Sequence, residues 1–194
     1  MMTVFIDVDT QLDFLFPAGA LYVRGAEKVV PAIAKLNRFA ASAGYPVIST
    51  TDAHAEDDPE FRSWPPHCVA NTWGQRKAQA TLLERRAIVP NRECRLEIEG
   101  AQQIIVEKQT IDAFQAPNLL RVLERLNAGS CVLYGVVTEI CVLHAARGLL
   151  RTGRPVTLVA DAVAELDAAN AQKALEEIRA AGGKLATVSE VCAR

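Results

Sequence analysis

The sequence predicts an α/β fold in which a doubly wound, six-stranded parallel sheet lies between two layers of helices. Short apolar, β-branched segments alternate with segments of helical periodicity, and glycines recur where a helix would return to the sheet. Alternation of this kind is typical of crossover units, which build a parallel sheet that is covered on both faces. The 194 residues suit one large core, so we expect a single domain over residues 1–194.

The six predicted strands are apolar runs of the kind expected for strands that are buried on both faces. They occupy 3–8, 45–51, 102–107, 130–136, 154–161 and 184–188. The segments between them have apolar residues at helical spacing, at 26–44, 117–129, 139–153 and 168–183. The first of these helices ends at Gly44, which is a common stop signal.

Composition excludes several classes of partner. The formal charge is −2 and no block of like charge occurs, so nothing favours binding to nucleic acid or to an anionic membrane. The five cysteines are odd in number and lack C-x-x-C spacing, which argues for a reducing compartment. No secretory signal and no uncharged run of roughly 18 apolar residues is present. We expect a cytoplasmic protein without a membrane partner; the oligomeric state stays open, with a homo-oligomer as one alternative.

Reactive side chains follow four of the predicted strands. Asp9 follows the first strand, Asp52 and His54 follow the second, Lys108 ends the third, and Cys141 follows the fourth. In sheets of this type, working residues gather beyond the carboxyl ends of the strands. The sequence therefore predicts one site that combines an acid, a metal-type cluster, an amine and a thiol. Phosphate-binding glycine motifs are lacking after the first strand, which disfavours a nucleotide site.

The segment 50–68, "TTDAHAEDDPEFRSWPPHC", contains two of the three histidines of the chain. Its oxygen and imidazole groups suit a first-row divalent ion. The candidate ligands are Asp52, His54, Glu60 and His67. A polar surface loop is the alternative interpretation. Three further carboxylates are expected to be solvated, although any of them could replace Glu60: Glu56, Asp57 and Asp58.

Cys141 is the candidate nucleophile because it lies just inside a helix predicted to begin near Thr138 or Glu139. The unpaired N–H groups and the positive end of a helix stabilise a thiolate. Asp9 could accept the thiol proton, and Lys108 could hold that aspartate ionised. A small buried residue is the alternative for any single cysteine.

Five segments resemble the isochorismatase-like cysteine hydrolases, most closely their nicotinamidase/pyrazinamidase branch. They are "DVDTQLDF" (7–14), "DAH" (52–54), "WPPHC" (64–68), "EKQTIDAF" (107–114) and "GVVTEICV" (135–142). The segments occur in the order of the family and span nearly the whole chain. The pairing of W-P-x-H-C with G-V-x-T-x-x-C-V is the specific part of this resemblance.

The resemblance implies a strand order of 3-2-1-4-5-6 and a cis peptide bond before Val137. It also implies a catalytic triad of Asp9, Lys108 and Cys141, with an oxyanion hole formed by the backbone N–H groups of Val137 and Cys141. The metal ligands that it implies are Asp52, His54 and His67. Phe14 and Trp64 would pack around a flat substrate. The sequence departs from the usual pattern at three positions: Glu60 replaces a histidine, Asn71 a glycine and Val137 an alanine.

We therefore expect a metal-dependent cysteine amidohydrolase that cleaves a small, nicotinamide-like amide through a thioester. Its cofactor would be one divalent ion, Zn, Mn or Fe. Two alternatives stay open. One is a non-catalytic metal- or ligand-binding sensor on the same fold. The other is an isochorismate-type vinyl-ether hydrolase, which would need neither the metal cluster nor the thiol.

Overall fold

The protein, described here by a computed structural model over residues 1–193, contains one seven-stranded sheet in the order β3-β4-β2-β1-β5-β6-β7. All neighbouring strands are parallel. The strands are β1 (Met2–Val8), β2 (Val47–Asp52), β3 (Arg86–Val89), β4 (Gln103–Lys108), β5 (Ala128–Val136), β6 (Val156–Ala164) and β7 (Lys184–Ala186). Without β3, this order is the predicted 3-2-1-4-5-6, so the predicted sheet is confirmed.

Strand β3 was not predicted; it lies at one edge of the described sheet, next to β4. Its four residues are flanked by charge and proline, and only Val89 is buried. Ile88 leaves 65% of its surface exposed. An edge strand that buries one residue does not produce the continuous apolar run by which the other strands were recognised.

Helices cover both faces of the sheet and make the predicted three layers. They are α1 (Leu12–Leu15), α2 (Val30–Ser42), α3 (Leu119–Arg125), α4 (Leu143–Arg151), α5 (Ala168–Ala180) and α6 (Val188–Cys192). Helices α3, α4 and α5 share one core with Val4, Ile6 and Val8 of β1. Helices α2 and α6 share the opposite core with Phe5 of the same strand. Alternation along β1 therefore assigns its residues to two separate cores.

Two predicted helices begin differently from the expectation. The helix predicted over 26–44 starts with a 3₁₀ turn at Ala26–Val29 before α2, and Gly44 follows its end with φ 77°. The helix predicted over 139–153 starts with a π-helical turn, Thr138–Val142, before α4. Such wide turns are frequent at functional sites. Within residues 1–193, no helix is long and apolar enough to cross a membrane.

Candidate active site and metal centre

Three of the predicted residues meet in one buried group at the carboxyl edge of the sheet. Lys108 ends β4, and its Nζ lies 2.9 Å from Asp9 Oδ2 and 3.9 Å from Cys141 Sγ. Asp9 follows β1 with a left-handed φ of 49°, a conformation that non-glycine residues seldom adopt. Its other oxygen accepts a 2.6 Å hydrogen bond from Thr50 Oγ1. Three distant segments thus bring an acid, an amine and a thiol together, as the strand ends predicted.

Burial and the neighbouring charges act on the thiol and the amine of this group in opposite directions. Burial raises the pKa of the Cys141 thiol well above its ordinary value; the Lys108 ammonium opposes this rise, and the Asp9 charge adds to it. Burial would lower the pKa of Lys108, but the carboxylates of Asp52 and Asp9 outweigh it, so that pKa is raised. Burial thus opposes the thiolate that the helix start was expected to stabilise, and a base beside the sulfur, such as Asp9, would favour its ionisation.

Cys141 lies in the π-helical turn that follows β5. The Val136–Val137 peptide bond is cis, as the resemblance implied. The Val137 carbonyl accepts hydrogen bonds of 3.1 Å from the N–H groups of Ile140 and Val142, so it is directed into the turn. Val137 and Cys141 both line the same cavity.

A candidate metal centre adjoins the thiol group. The ligand atoms of Asp52, His54 and His67 all lie within 4.8 Å of one another, and all three residues are buried. The Nε2 atoms of His54 and His67 are each 4.0 Å from Asp52 Oδ2. Two imidazoles and a carboxylate at this spacing can converge on an ion at roughly 2.0–2.2 Å. Burial raises the pKa of Asp52 to about 6, against the effect of Lys108, to which it is hydrogen-bonded.

Both histidines are oriented toward this centre by hydrogen bonds on their far side. His54 Nδ1 is 3.0 Å from Asp58 Oδ2, and His67 Nδ1 is 2.8 Å from the Pro65 carbonyl. Such partners fix the ring of a metal-binding histidine and leave its Nε2 free for the ion. His54 Nε2 is buried without a hydrogen-bond partner in residues 1–193. An orphaned buried nitrogen that faces a carboxylate and a second imidazole fits a metal site.

Glu60 and Asp58 occupy different places around this centre. Glu60 belongs to a 3₁₀ turn, Pro59–Arg62, and lines the cavity, where partial burial raises its pKa. It is not part of the close three-residue group, so its role as the fourth ligand stays a prediction. Asp58 binds the His54 ring and the Glu60 N–H with its two oxygens. Asp58 therefore contacts two of the candidate ligands, His54 and Glu60.

Sequence reasoning missed three residues that support the site. Gln11 makes two hydrogen bonds to the backbone of Asp52: its side chain accepts one from the Asp52 N–H at 2.7 Å and donates one to the Asp52 carbonyl at 2.8 Å. The Asp13 carboxylate accepts from the N–H of Cys68, next to His67, at 2.7 Å. Phe61 packs against both histidine rings. Gln11 and Asp13 lie in the quoted "DVDTQLDF", which was the available signal; nothing in the sequence marks Phe61.

One cavity of about 470 Å³, including its opening to solvent, joins the thiol to the metal centre. Eight predicted residues line it: Asp9, Phe14, Asp52, Glu60, Trp64, His67, Val137 and Cys141. Lys108 and His54 lie behind this wall and are buried. The remaining wall is aliphatic and was not predicted: Leu21, Val23, Ile111, Val136, Ile140 and Leu166. Along the described chain, no lysine or arginine lines this cavity.

An α/β fold with a cysteine, an acid and a lysine at the strand ends defines the class of the isochorismatase-like hydrolases, and the resemblance found in the sequence is confirmed. The chain belongs to the isochorismatase family, whose domain model matches residues 3–190.

Similar proteins lie close to the predicted branch. The nicotinamidase/pyrazinamidase of Mycobacterium tuberculosis is 29% identical over 192 residues, covering 95% of this chain and 98% of that protein. The solved pyrazinamidase of Pyrococcus horikoshii, in complex with zinc, is 27% identical with a TM-score of 0.81, covering 96% and 99% of the two chains. An N-carbamoylsarcosine amidase from Thermoplasma acidophilum is 25% identical with a TM-score of 0.78, covering 97% of each chain. The similar proteins named here therefore differ in the amide that they cleave.

Proposed function

We propose that this protein is a cysteine amidohydrolase that hydrolyses a small, uncharged ring carboxamide through a thioester and uses one divalent metal ion. The observation that carries this proposal is the meeting of Asp9, Lys108 and Cys141 beside the Asp52–His54–His67 group on one cavity. Proteins similar to this chain over nearly its whole length are named as amidases of this kind, which supports the reaction class.

The chemical steps follow from the thiol and its neighbours. Asp9 takes the Cys141 proton as the sulfur attacks the amide carbonyl, so a C–S bond forms. The backbone N–H groups of Val137 and Cys141 hold the oxyanion that develops. The C–N bond then breaks, and the proton on Asp9 passes to the leaving ammonia. Asp9 next takes a proton from water as the water oxygen attacks the thioester carbonyl; the C–S bond breaks, Asp9 returns the proton to the sulfur, and the acid product releases its own proton to solvent and leaves as a carboxylate. Lys108 holds Asp9 ionised between these steps.

The shape and charge of the cavity favour an uncharged acyl group. The charged groups that line it are three carboxylates, Asp9, Asp52 and Glu60, and the Lys108 ammonium pairs with the first two from behind the wall. Because Lys108 is engaged by these carboxylates, no lysine or arginine of the described residues is available at the lining to pair with an anionic substrate. The rings of Phe14 and Trp64 and the aliphatic wall provide apolar surface for a flat ring. This disfavours an isochorismate-type substrate and an amide that carries its own carboxylate.

The donor set of the metal centre suits a zinc, manganese or iron ion, held by Asp52, His54 and His67 with Glu60 as the fourth ligand. Two carboxylates and two imidazoles form a harder set than thiolates, and such a set accepts several first-row ions. When bound, the ion supplies a Lewis acid beside the thiol that can bind a lone pair of the substrate ring. We also propose that the protein acts in the cytoplasm, since its thiol requires reducing conditions.

The test is release of ammonia by metal-loaded protein from nicotinamide, pyrazinamide, benzamide and N-carbamoylsarcosine. We expect turnover of the uncharged ring amides and little of the anionic compound. Cys141→Ala should lower kcat by at least about 10³-fold, because the covalent route is lost. Cys192→Ala, in the distant helix α6, is the matched control and should retain activity.

Mass spectrometry of rapidly quenched wild-type protein should show an acyl adduct on the peptide containing Cys141. Activity that survives Cys141→Ala would refute the thioester. Binding of ring amides without ammonia release under any metal would favour the sensor, and preferred turnover of N-carbamoylsarcosine would refute the proposed substrate class.

A further inference from the structure

The loop between β6 and α5 forms one outer wall of the cavity. Its residue Leu166 lines the cavity, yet 49% of its surface is exposed. Side-chain packing alone therefore leaves Leu166 weakly constrained. Its backbone, in contrast, is tied down: Glu139 Oε1 accepts hydrogen bonds from the N–H groups of Leu166 at 3.0 Å and Asp167 at 2.8 Å.

Glu139 belongs to the turn that carries the nucleophile, two residues before Cys141. The adjacent Thr138 Oγ1 donates a 2.9 Å hydrogen bond to the Ala164 carbonyl, just before the same loop. Two neighbouring side chains of the nucleophile turn thus hold the loop that carries Leu166. Direct hydrogen bonds therefore connect the turn that carries the thiol to this wall of the cavity.

We propose that Glu139 is a positioning residue that sets the size limit for the acyl group by holding Leu166 at the mouth of the cavity. This inference rests on the proposed amide hydrolysis. Hydrogen bonds from two N–H groups to one carboxylate are charge-assisted and strong for their kind. Within residues 1–193, Glu139 Oε2 is buried and has no hydrogen-bond partner. The hydrogen bonding of this carboxylate is therefore directed to the loop.

A separate residue caps the following helix, which allows the two roles to be distinguished. Asp167 is the N-cap of α5, and its side chain accepts from the Asn170 N–H at 2.8 Å. Loss of this cap should loosen the helix end without freeing Leu166 from Glu139. Asp167→Ala is thus a matched structural control for Glu139→Ala.

The experiment measures kcat and KM of the metal-loaded full chain for nicotinamide and for the bulkier quinoline-3-carboxamide. In Glu139→Ala, KM for nicotinamide should rise about tenfold, because substrate binding must then order a Leu166 that is no longer held in place. Its kcat should change by less than about threefold, since the reacting groups are intact. The ratio of kcat/KM for nicotinamide to kcat/KM for the bulkier amide should fall by about tenfold, because Leu166 is then free to move and the larger ring can enter.

Two variants separate positioning from stability. Glu139→Gln keeps the accepting oxygen and should keep the substrate preference, but its melting temperature should fall because an NH₂ group would be buried without an acceptor. Asp167→Ala should also melt earlier with its preference unchanged. An unchanged preference in Glu139→Ala, or an equal narrowing in either of the other variants, would overturn the proposal.

Hydrogen exchange of the Leu166 amide, followed by nuclear magnetic resonance, tests the tether without any substrate. Exchange should be faster in Glu139→Ala than in wild type, Glu139→Gln or Asp167→Ala, and equal exchange in all four would overturn the tether. Failure of wild type to hydrolyse any ring amide would refute the proposed function and with it the size limit, whatever the exchange shows. The two failures are therefore distinguishable.

Discussion

Two buried aspartates, Asp7 in strand β1 and Asp9 just after it, each pair with a buried lysine from a distant segment, yet only the Asp9 pair adjoins the cavity. Asp7 pairs with Lys77 at 2.9 Å, and Asp9 pairs with Lys108 at the same distance. We name them the Asp7 cluster (Asp7, Thr10, Asn37 and Lys77) and the Asp9 cluster (Asp9, Asp52, Lys108 and Cys141). The two clusters have the same types of charge and are both buried, so neither property distinguishes the proposed catalytic group from a structural one.

The two clusters differ in how completely their polar atoms are satisfied. In the Asp7 cluster, Asp7 also accepts from Thr10 Oγ1 at 2.8 Å and from Asn37 Nδ2 at 2.9 Å. In the Asp9 cluster, Asp9 Oδ2 has its ion pair but no hydrogen bond within residues 1–193. A saturated buried network fixes one arrangement of the chain. An incomplete network beside a cavity retains capacity for a substrate and for a proton.

The largest expected effect comes from making the same substitution in each cluster. Asp9→Asn should lower kcat by about 10²–10⁴-fold, the range of lost general-base catalysis, with little change in substrate binding. Asp7→Asn should keep kcat within about threefold in the folded protein, because Asp7 does not line the cavity. Steady-state kinetics at a temperature where both variants are folded decides this. Equal losses of kcat in the two variants would remove the distinction between the clusters.

The second prediction concerns the structural cluster. Lys77→Met leaves the buried Asp7 carboxylate without its cation, which should lower the free energy of unfolding by about 3–5 kcal/mol. The double variant Asp7→Asn/Lys77→Met should recover part of this loss, since no unpaired charge remains. Urea denaturation measures both. A double variant less stable than the single variant would show that the ion pair itself is not the source of the stability.

The same comparison shows why the sequence revealed one cluster and not the other. Asp9, Lys108 and Cys141 follow separate strands, and a parallel sheet brings all such ends to one edge, so local patterns were sufficient. Asp7 lies inside a predicted strand, and its partner Lys77 is seventy residues away in an irregular segment. No periodicity connects them, because only the folded chain determines which loop covers that part of the sheet.

The candidate metal centre was predictable to the same degree. The candidate ligands near β2 could be recognised from residue type and spacing, and Asp52, His54 and His67 do converge. The orienting contact from Asp58 could not be distinguished from a solvated charge, since that depends on the path of the loop. The aliphatic wall that includes Leu166 carries no local signal at all.

The smallest expected effect concerns Glu60 and tests whether this residue is a metal ligand beside the Asp9 cluster. If Glu60 completes the ion's ligand set, Glu60→Ala should weaken metal binding by on the order of tenfold while the apo protein keeps its fold. Glu60→His should restore affinity and shift preference toward Zn²⁺ over Mn²⁺, since imidazole is the softer ligand. Metal content after dialysis, measured by mass spectrometry beside a melting curve, provides the readout.

Asp57→Ala is the control for that experiment, because Asp57 is exposed in the same loop and should not affect metal content. Asp58→Ala should weaken binding through its partner His54 without changing which ion is preferred, whereas a ligand substitution changes both. This difference in preference separates a residue that touches the ion from one that orients a ligand. A full equivalent of metal in Glu60→Ala, with unchanged preference in Glu60→His, would exclude Glu60 from the ligand set and leave three protein ligands.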